Sequence, residues 1–383
     1  MFVRRDLSDR VPTPEGEMHY VKQGSGYPLV MLHPLGTSTW AWHSVIDSLS
    51  QHYTCYAFDM LGHGESDKPS RHFNIPDYAN ALDHACQILN IHRGHYVGNS
   101  VGAILAAEMA ASFPQSAFLE KCENWDEWDK PAPPFQLLGD TWYVGTCGIS
   151  ALLVIGGGEH ILIDSGVEDA APLILANIRA LGIDPRDVGY LLMSHEHFDH
   201  VGAHAALVEA TGAEVIASPI AAQVLSSGEA SADDPQADIH PAMTPVNVDR
   251  IVSDGEVLNL GGKEFTAHLT PGHTPGAMSW TWNACSLPWQ PPVCRRVAYV
   301  DSLSPVSADD YRFTDHPAVV ADFRRSIAKV ATLPCDLLAT PHPSSSGMLD
   351  RMKEGGLLDG AACADYAKAI EKRLNDRLAE EAE

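Results

Sequence analysis

Ser194-His195-Glu196-His197-Phe198-Asp199-His200-Val201-Gly202 decides the reading of this chain. Three histidines and an aspartate fall within six positions, directly after the apolar run Val188-Gly189-Tyr190-Leu191-Leu192-Met193. A run of that length ending in polar residues and glycine predicts a buried strand that opens into a loop. Side chains alternate along an extended backbone, so His195 and His197 share one side of it. Asp199 and His200 can then turn toward a second position. Imidazole nitrogen and carboxylate oxygen are the donors that suit a catalytic zinc ion.

Two further histidines fit the same plan. His273 lies in Thr270-Pro271-Gly272-His273-Thr274-Pro275-Gly276, after the strand-like Phe265-Thr266-Ala267-His268-Leu269. His342 lies in Thr340-Pro341-His342-Pro343, after Cys335-Asp336-Leu337-Leu338-Ala339. Each candidate ligand therefore sits on a loop at a strand end, where a rigid scaffold can deliver it to one rim. His160 and His268 read as ordinary strand or surface histidines.

The chain has 383 residues, enough for two domains, and its 45% hydrophobic content suits a globular protein with a real core. A net charge of −25 argues against nucleic acid and anionic membranes as partners. Acidity is uneven: residues 1–117 carry 11 acidic and 7 basic side chains, and the remainder 39 and 18. No stretch reaches the roughly 18–20 apolar residues that a membrane span needs. Met1-Phe2-Val3-Arg4-Arg5-Asp6-Leu7-Ser8 is followed by no apolar segment of the kind a signal peptide carries.

Residues 1–117 alternate strand-like and helix-like segments, which predicts an α/β sheet. Leu29–His33, Thr54–Asp59 and His95–Gly98 read as strands, and Val101–Met109 as a helix. The acidic, proline-rich stretch Asn124–Pro134 predicts a linker or domain entry. Residues 118–383 then form a second domain. It opens with strands over Thr141–Gly145, Ala151–Ile155 and Ile161–Asp164, the last two joined by the turn Gly156-Gly157-Gly158. Helices are expected over Ala171–Leu181 and Tyr366–Leu378, and strands between Val257 and Trp282.

The histidine motifs resemble those of the metallo-β-lactamase superfamily, over roughly residues 120–383. The resemblance implies a four-layer αββα sandwich and two zinc ions per chain. His195, His197 and His273 would hold one ion, and Asp199, His200 and His342 the other. The details are similar to subclass B3: a histidine at 195, and Ala298-Tyr299-Val300-Asp301-Ser302-Leu303-Ser304 with no cysteine ligand. The implied activity is hydrolysis of the β-lactam amide of penicillins, cephalosporins and carbapenems, conferring antibiotic resistance, through a zinc-bridging hydroxide that Asp199 orients. Ser302 and Ser304 would help to hold the drug carboxylate. Asp164, at a strand end, is expected to support the histidines rather than bind metal. Asp301 keeps a second reading open, because lactonases and thioesterases of the superfamily bridge their metals with an aspartate from this region.

The same resemblance pairs Cys335 with Cys363, and makes Cys122–Cys147 and Cys285–Cys294 plausible further bridges. Cys55 and Cys86 read as buried free thiols. Six paired cysteines and the family's habit both imply the periplasm, against the lack of an export signal.

Gly98-Asn99-Ser100-Val101-Gly102 fits G-x-S-x-G between a strand and a helix. With Leu32-His33-Pro34-Leu35-Gly36 and Asp59-Met60-Leu61-Gly62-His63-Gly64-Glu65-Ser66, it resembles the first half of an α/β-hydrolase. Ser100 would be the nucleophile, with the Leu35 and Val101 amides as oxyanion hole. The acid and histidine of that family come later in the chain, where this sequence turns into the histidine-rich domain. Ser100 is therefore expected to be vestigial, and the segment with its open sheet edge to pack on the histidine-rich domain, to pair with another chain such as a second copy, or to be poorly ordered. A serine esterase acting through Ser100 is the alternative.

Overall fold

The structure, a computed structural model, describes residues 8–89, 91, 94–111, 115–122, 127–285, 294–354 and 356–382. The export-signal reading of residues 1–7 and the linker reading of 123–126 lie outside them. Two compact units emerge: Met1–Glu120 with Lys353–Gly356, and Lys121–Met352 with Leu357–Glu383. Among the described residues, no helix is long and apolar enough to cross a membrane.

The first unit holds one sheet of five strands: β1 (Ser8–Thr13), β2 (Gly16–Gln23), β3 (Tyr27–Leu32), β4 (Tyr53–Phe58) and β5 (His95–Gly98), in the order β1-β2-β4-β3-β5. β3 pairs in parallel with β4 and β5, while β1, β2 and β4 pair antiparallel. The sheet is therefore mixed, not wholly parallel as the β/α alternation suggests, because β1 and β2 form a tight hairpin before the first crossover. Alternation along β3 sends Val30 and Leu32 into a core with Phe58, Leu82 and Leu105, and Met31 into another with Val21 and Ala57. Both sheet faces are thus covered. Cys86 and Cys55, the two free thiols, are buried in these cores.

The second unit stacks two sheets. The first comprises β6 (Phe135–Leu138), β7 (Thr141–Tyr143), β8 (Leu152–Val154), β9 (His160–Ile163), β10 (Val188–Leu192), β11 (Glu214–Ala217) and β12 (Arg250–Ile251), ordered β12 to β6. The second comprises β13 (Val257–Leu260), β14 (Lys263–Leu269), β15 (Met278–Cys285), β16 (Cys294–Tyr299) and β17 (Leu337–Ala339) in sequence order. Trp280 Nε1 donates to Met193 O (2.9 Å) and Trp282 Nε1 to Thr141 Oγ1 (3.0 Å), tying sheet to sheet. Helices Pro317–Val330 and Ala362–Glu381 cover the outer face of the second sheet through Phe323, Ile327, Tyr366 and Ile370. Helices Ala171–Ala180 and His204–Thr211 lie with the first sheet. This is the expected αββα sandwich.

Strand direction brings the loops together. β14, β15 and β16 are successively antiparallel and β17 is parallel to β16, so β14, β16 and β17 all end on one edge. The Met278 amide, at the start of β15 on that same edge, donates to Ser194 O just beyond β10 (2.6 Å). Four strand ends therefore meet.

All three expected disulfides form: Cys122–Cys147, Cys285–Cys294 and Cys335–Cys363. The described part of the expected linker is not free chain. Pro131 bridges Thr146, and the Cys147 amide donates to Lys130 O (3.0 Å).

Candidate metal centre

His195, His197 and His273 present ring nitrogens that lie within 4.8 Å of one another, and the ring nitrogens of His195 and His200 lie as close to a carboxylate oxygen of Asp199. Hydrogen bonds decide which nitrogen of each ring stays free. His273 Nδ1 meets Ser304 O at 2.8 Å and must donate to it, because a carbonyl only accepts. That leaves Nε2 with a lone pair. His197 Nε2 faces Asp234 Oδ2 at 2.9 Å, which leaves Nδ1. His195 Nδ1 touches Ser194 Oγ (3.2 Å) and Asp301 Oδ1 (2.9 Å), and its buried Nε2 has no partner among the described residues. Three buried imidazoles thus each keep one uncommitted nitrogen. Burial, with the neighbouring rings, holds His195 well below the usual histidine range, and burial lowers His273 to about 3. Metal ligation requires this neutral form.

The second group is tighter. Asp199 Oδ2 lies 3.1 Å from His200 Nε2 and 3.3 Å from His342 Nε2, and the two nitrogens are 3.2 Å apart. Donors at zinc-bond length on a tetrahedron are separated by about 3.3 Å, so the triangle matches one face of such a site. The pocket also demands positive charge. Burial alone would lower His200, but Asp199 and Asp164 outweigh it and push the ring up to about 10. Burial likewise opposes Asp199 ionisation, and His200 with His342 holds it well below the carboxylate range. A bound cation satisfies the same demand.

A model described as the metallo-beta-lactamase superfamily matches residues 144–287, and one described as the alpha/beta hydrolase fold matches residues 27–133. The metallo-β-lactamase MIM-1 of Novosphingobium pentaromativorans is 49% identical, over 70% of this chain and 98% of that one, with a TM-score of 0.67. MEM-A1, a subclass B3 metallo-β-lactamase from a soil metagenome library, is 41% identical over 67% of this chain and 99% of that one, at a TM-score of 0.63. The chain belongs to the metallo-β-lactamase family. Its relatives include subclass B3, and it is a hydrolase by fold and kinship. The α/β-hydrolase segment precedes that domain. An uncharacterized protein of Mycobacterium tuberculosis is 38% identical over 92 residues, 24% of this chain and 27% of that protein. The chain thus spans about a quarter of the length of the first curated relatives that it matches.

The six sequence-predicted ligands gather at one place, although His342 is separated from His200 by 142 residues. Ser302 is buried with an unpartnered Oγ. Ser304 accepts at its hydroxyl from Arg373 Nη2 (2.7 Å) and at its carbonyl from His273. Asp164, at φ +62°, accepts from Ser194 N (2.6 Å), Ser194 Oγ (2.7 Å) and Tyr299 OH (2.7 Å), and lies 3.6 Å from His200 Nδ1. Asp301 stands behind His195, against Nδ1, and its Oδ2 accepts from the Leu303 amide (3.1 Å). His160 accepts from Gly156 N, and His268 bonds Thr281 Oγ1, away from the cluster.

Several neighbours escape a reading of the sequence. Asp234 orients His197 from an acidic loop 37 residues on. The His240 ring lies 3.9 Å from that of His197 and 5.3 Å from Phe198. Trp128 covers His342 and Phe198 at 5.7 and 6.0 Å. None of these belongs to a local pattern; only Asp234, beside Asp233 and a proline, carries the signature of a loop that orders itself.

In the first unit Ser100 has φ +56°, the left-handed turn that a nucleophile elbow imposes. A Cβ on Gly98 would meet Gly102 O at 1.9 Å, and one on Gly102 would meet Leu32 O at 2.1 Å, so both glycines are required by close approach. Ser100 is exposed, and among the described residues no side chain bonds its hydroxyl.

Proposed function

We propose that this chain hydrolyses the β-lactam amide with two zinc ions, one held by His195, His197 and His273, the other by Asp199, His200 and His342. The observation that carries the reading is the donor geometry: three free imidazole nitrogens beside a triangle of one carboxylate oxygen and two nitrogens at 3.1–3.3 Å. Zinc bound there supplies Lewis acidity for the carbonyl and a water acidified to near neutral pH.

The protein's own groups do the rest. Asp199 stays ionised next to His200 and His342, and can accept and orient a proton of the attacking water. Asp234, Ser304 O and Ser194 Oγ hold the rings of His197, His273 and His195 by hydrogen bonds, with Asp301 packed against His195, so each free nitrogen is aimed before substrate arrives. Ser302, whose buried hydroxyl has no partner among the described residues, is the serine we assign to a substrate carboxylate. The position of Asp301 behind His195 favours the lactamase over a lactonase or thioesterase reading, which needs this carboxylate between the metals.

The two parts, 1–117 and 118–383, divide the labour. We read the first as a non-catalytic hydrolase remnant, because Ser100 keeps the elbow but has no hydrogen-bonded base among the described residues. β5 ends its sheet order, and a second chain can pair there.

The test is hydrolysis of a carbapenem and a cephalosporin by purified protein, with chelator and zinc add-back. Turnover lost on chelation and restored by zinc supports the reading. Folded, zinc-loaded protein that leaves both drugs intact overturns it. Turnover that survives chelation and disappears in Ser100→Ala would favour the serine esterase instead.

A further inference from the structure

We infer that a cleft behind the His273 loop is a binding site for a small organic cation with an apolar body, separate from the metal centre. The inference goes beyond the lactamase reading and does not depend on it. The cleft measures about 760 Å³, a size that suits a small-molecule site, and none of the six candidate metal ligands lines it. One wall is the loop itself, through Pro271, Gly272, Thr274 and Pro275. Other walls come from Ser218, Pro219 and Ile220, which open the helix Pro219–Ser227, and from residues 317–319 at the start of the helix Pro317–Val330.

These walls are tied to one another before any ligand arrives. Ser326 Oγ, on the helix Pro317–Val330, donates to Pro271 O at 2.7 Å. Gly272, at φ +148°, packs so closely on that helix that a Cβ there would lie 2.8 Å from the Phe323 ring. Ser218 Oγ donates to Gly276 O at 2.7 Å and holds the third wall to the same loop. A pre-formed cavity spares a ligand the cost of ordering its site. The chemistry of this one is apolar and negative. Proline and aliphatic side chains dominate the lining, and the rings of Tyr311 and His316 lie flat together, with centroids 4.1 Å apart and planes at 9°. Three aspartates line the cleft, and no lysine or arginine does. Asp322 is already paired with Arg325, whereas Asp233 and Asp315 are exposed and form no ion pair among the described residues. Two uncompensated carboxylates beside an apolar wall favour a cation over a neutral or anionic ligand of the same shape. The electron-rich face of an aromatic ring adds to that preference.

The probe is benzyltrimethylammonium, a cation with an aromatic body and no lone pair with which to ligate zinc. Calorimetry on zinc-loaded full chain measures its binding beside that of 2-phenylethanol, a neutral compound of similar shape. The cation should bind at one site per chain and more tightly than the alcohol. Ala318→Trp, which fills the cleft from an exposed position, should abolish binding of both. The double variant Asp233→Asn with Asp315→Asn should weaken the cation about fivefold, the size of one exposed charge interaction, and leave the alcohol unchanged. No binding of the cation, or equal binding of cation and alcohol, overturns the inference. So does cation binding that Ala318→Trp leaves intact. A second copy of the chain is the competing occupant, and a dimer in sedimentation that Ala318→Trp dissolves would replace the cation with self-association.

Discussion

Glu196 accepts a hydrogen bond from Thr274 Oγ1 at 2.8 Å, across 78 residues of sequence. Its other oxygen accepts from the Gly276 amide at 2.8 Å. Glu196 stands between His195 and His197, so alternation sends its side chain away from theirs and into the loop that carries His273. The carboxylate fastens the two histidine loops to each other. Glu196→Ala should weaken binding at the three-histidine site by about 10–100-fold while the fold persists. Competition with a chromogenic chelator measures it. Gly276→Ala should act alike, since a Cβ there would lie 2.7 Å from both Glu196 oxygens and from Ala221 N.

His195→Ala and Asp199→Ala should each remove turnover to near background and lower the zinc content of purified protein by about one ion per chain. Circular dichroism and metal analysis on the same samples check it. Unchanged activity in either variant would contradict the ligand assignment.

Asp234→Asn and Asp301→Asn distinguish support from ligation. A carboxylate that only orients a ring should cost about 10–100-fold in affinity at one site when converted to the amide. Loss of both ions together from Asp301→Asn would instead mark a bridging aspartate, and return the lactonase reading.

His204 gives a pH signature independent of the metals. It is buried, 2.7 Å from Ser165 Oγ, and burial lowers it to about 4. Between the ordinary histidine value near 6.5 and about 4, the unfolded chain binds a proton that the native ring refuses. Stability therefore falls as pH drops through that window, by about 3 kcal/mol in total. Urea unfolding of metal-free protein should show this acid limb, and His204→Leu should flatten it relative to the parent.

Cys335–Cys363 ties β17 to the helix that carries Tyr366 and Arg373, and closes a loop of 28 residues. The double variant Cys335→Ala with Cys363→Ala should lose about 3–4 kcal/mol in the chain-entropy model, read by denaturant midpoint.

Much of this molecule is legible residue by residue. β10 and its histidines are visible because a buried strand has a local signature, and because the period of two places His195 and His197 together before any fold is known. Ala171–Ala180 and the hairpin at Gly156–Gly158 are equally local. The helix Pro317–Val330 is local too, with Phe323, Ile327 and Val330 at helical spacing and its charges on the opposite face, but what that face packs against is not.

The sequence by itself pointed to the donor inventory, six side chains on three strand ends, and to an elbow around Ser100, while family resemblance added the three cysteine pairs. Spacing encodes these because neighbours in a strand or turn have no freedom to be elsewhere. Tertiary structure decided which nitrogen of each histidine is free, where Asp301 points, and that Arg373 stands beside Ser304. Those facts depend on contacts between residues 31 to 106 positions apart, such as the hydrogen bond of His273 to Ser304 and the approach of His195 to Asp301. Contacts of that span leave no period in the chain, because they are set by how two sheets and their covering helices stack.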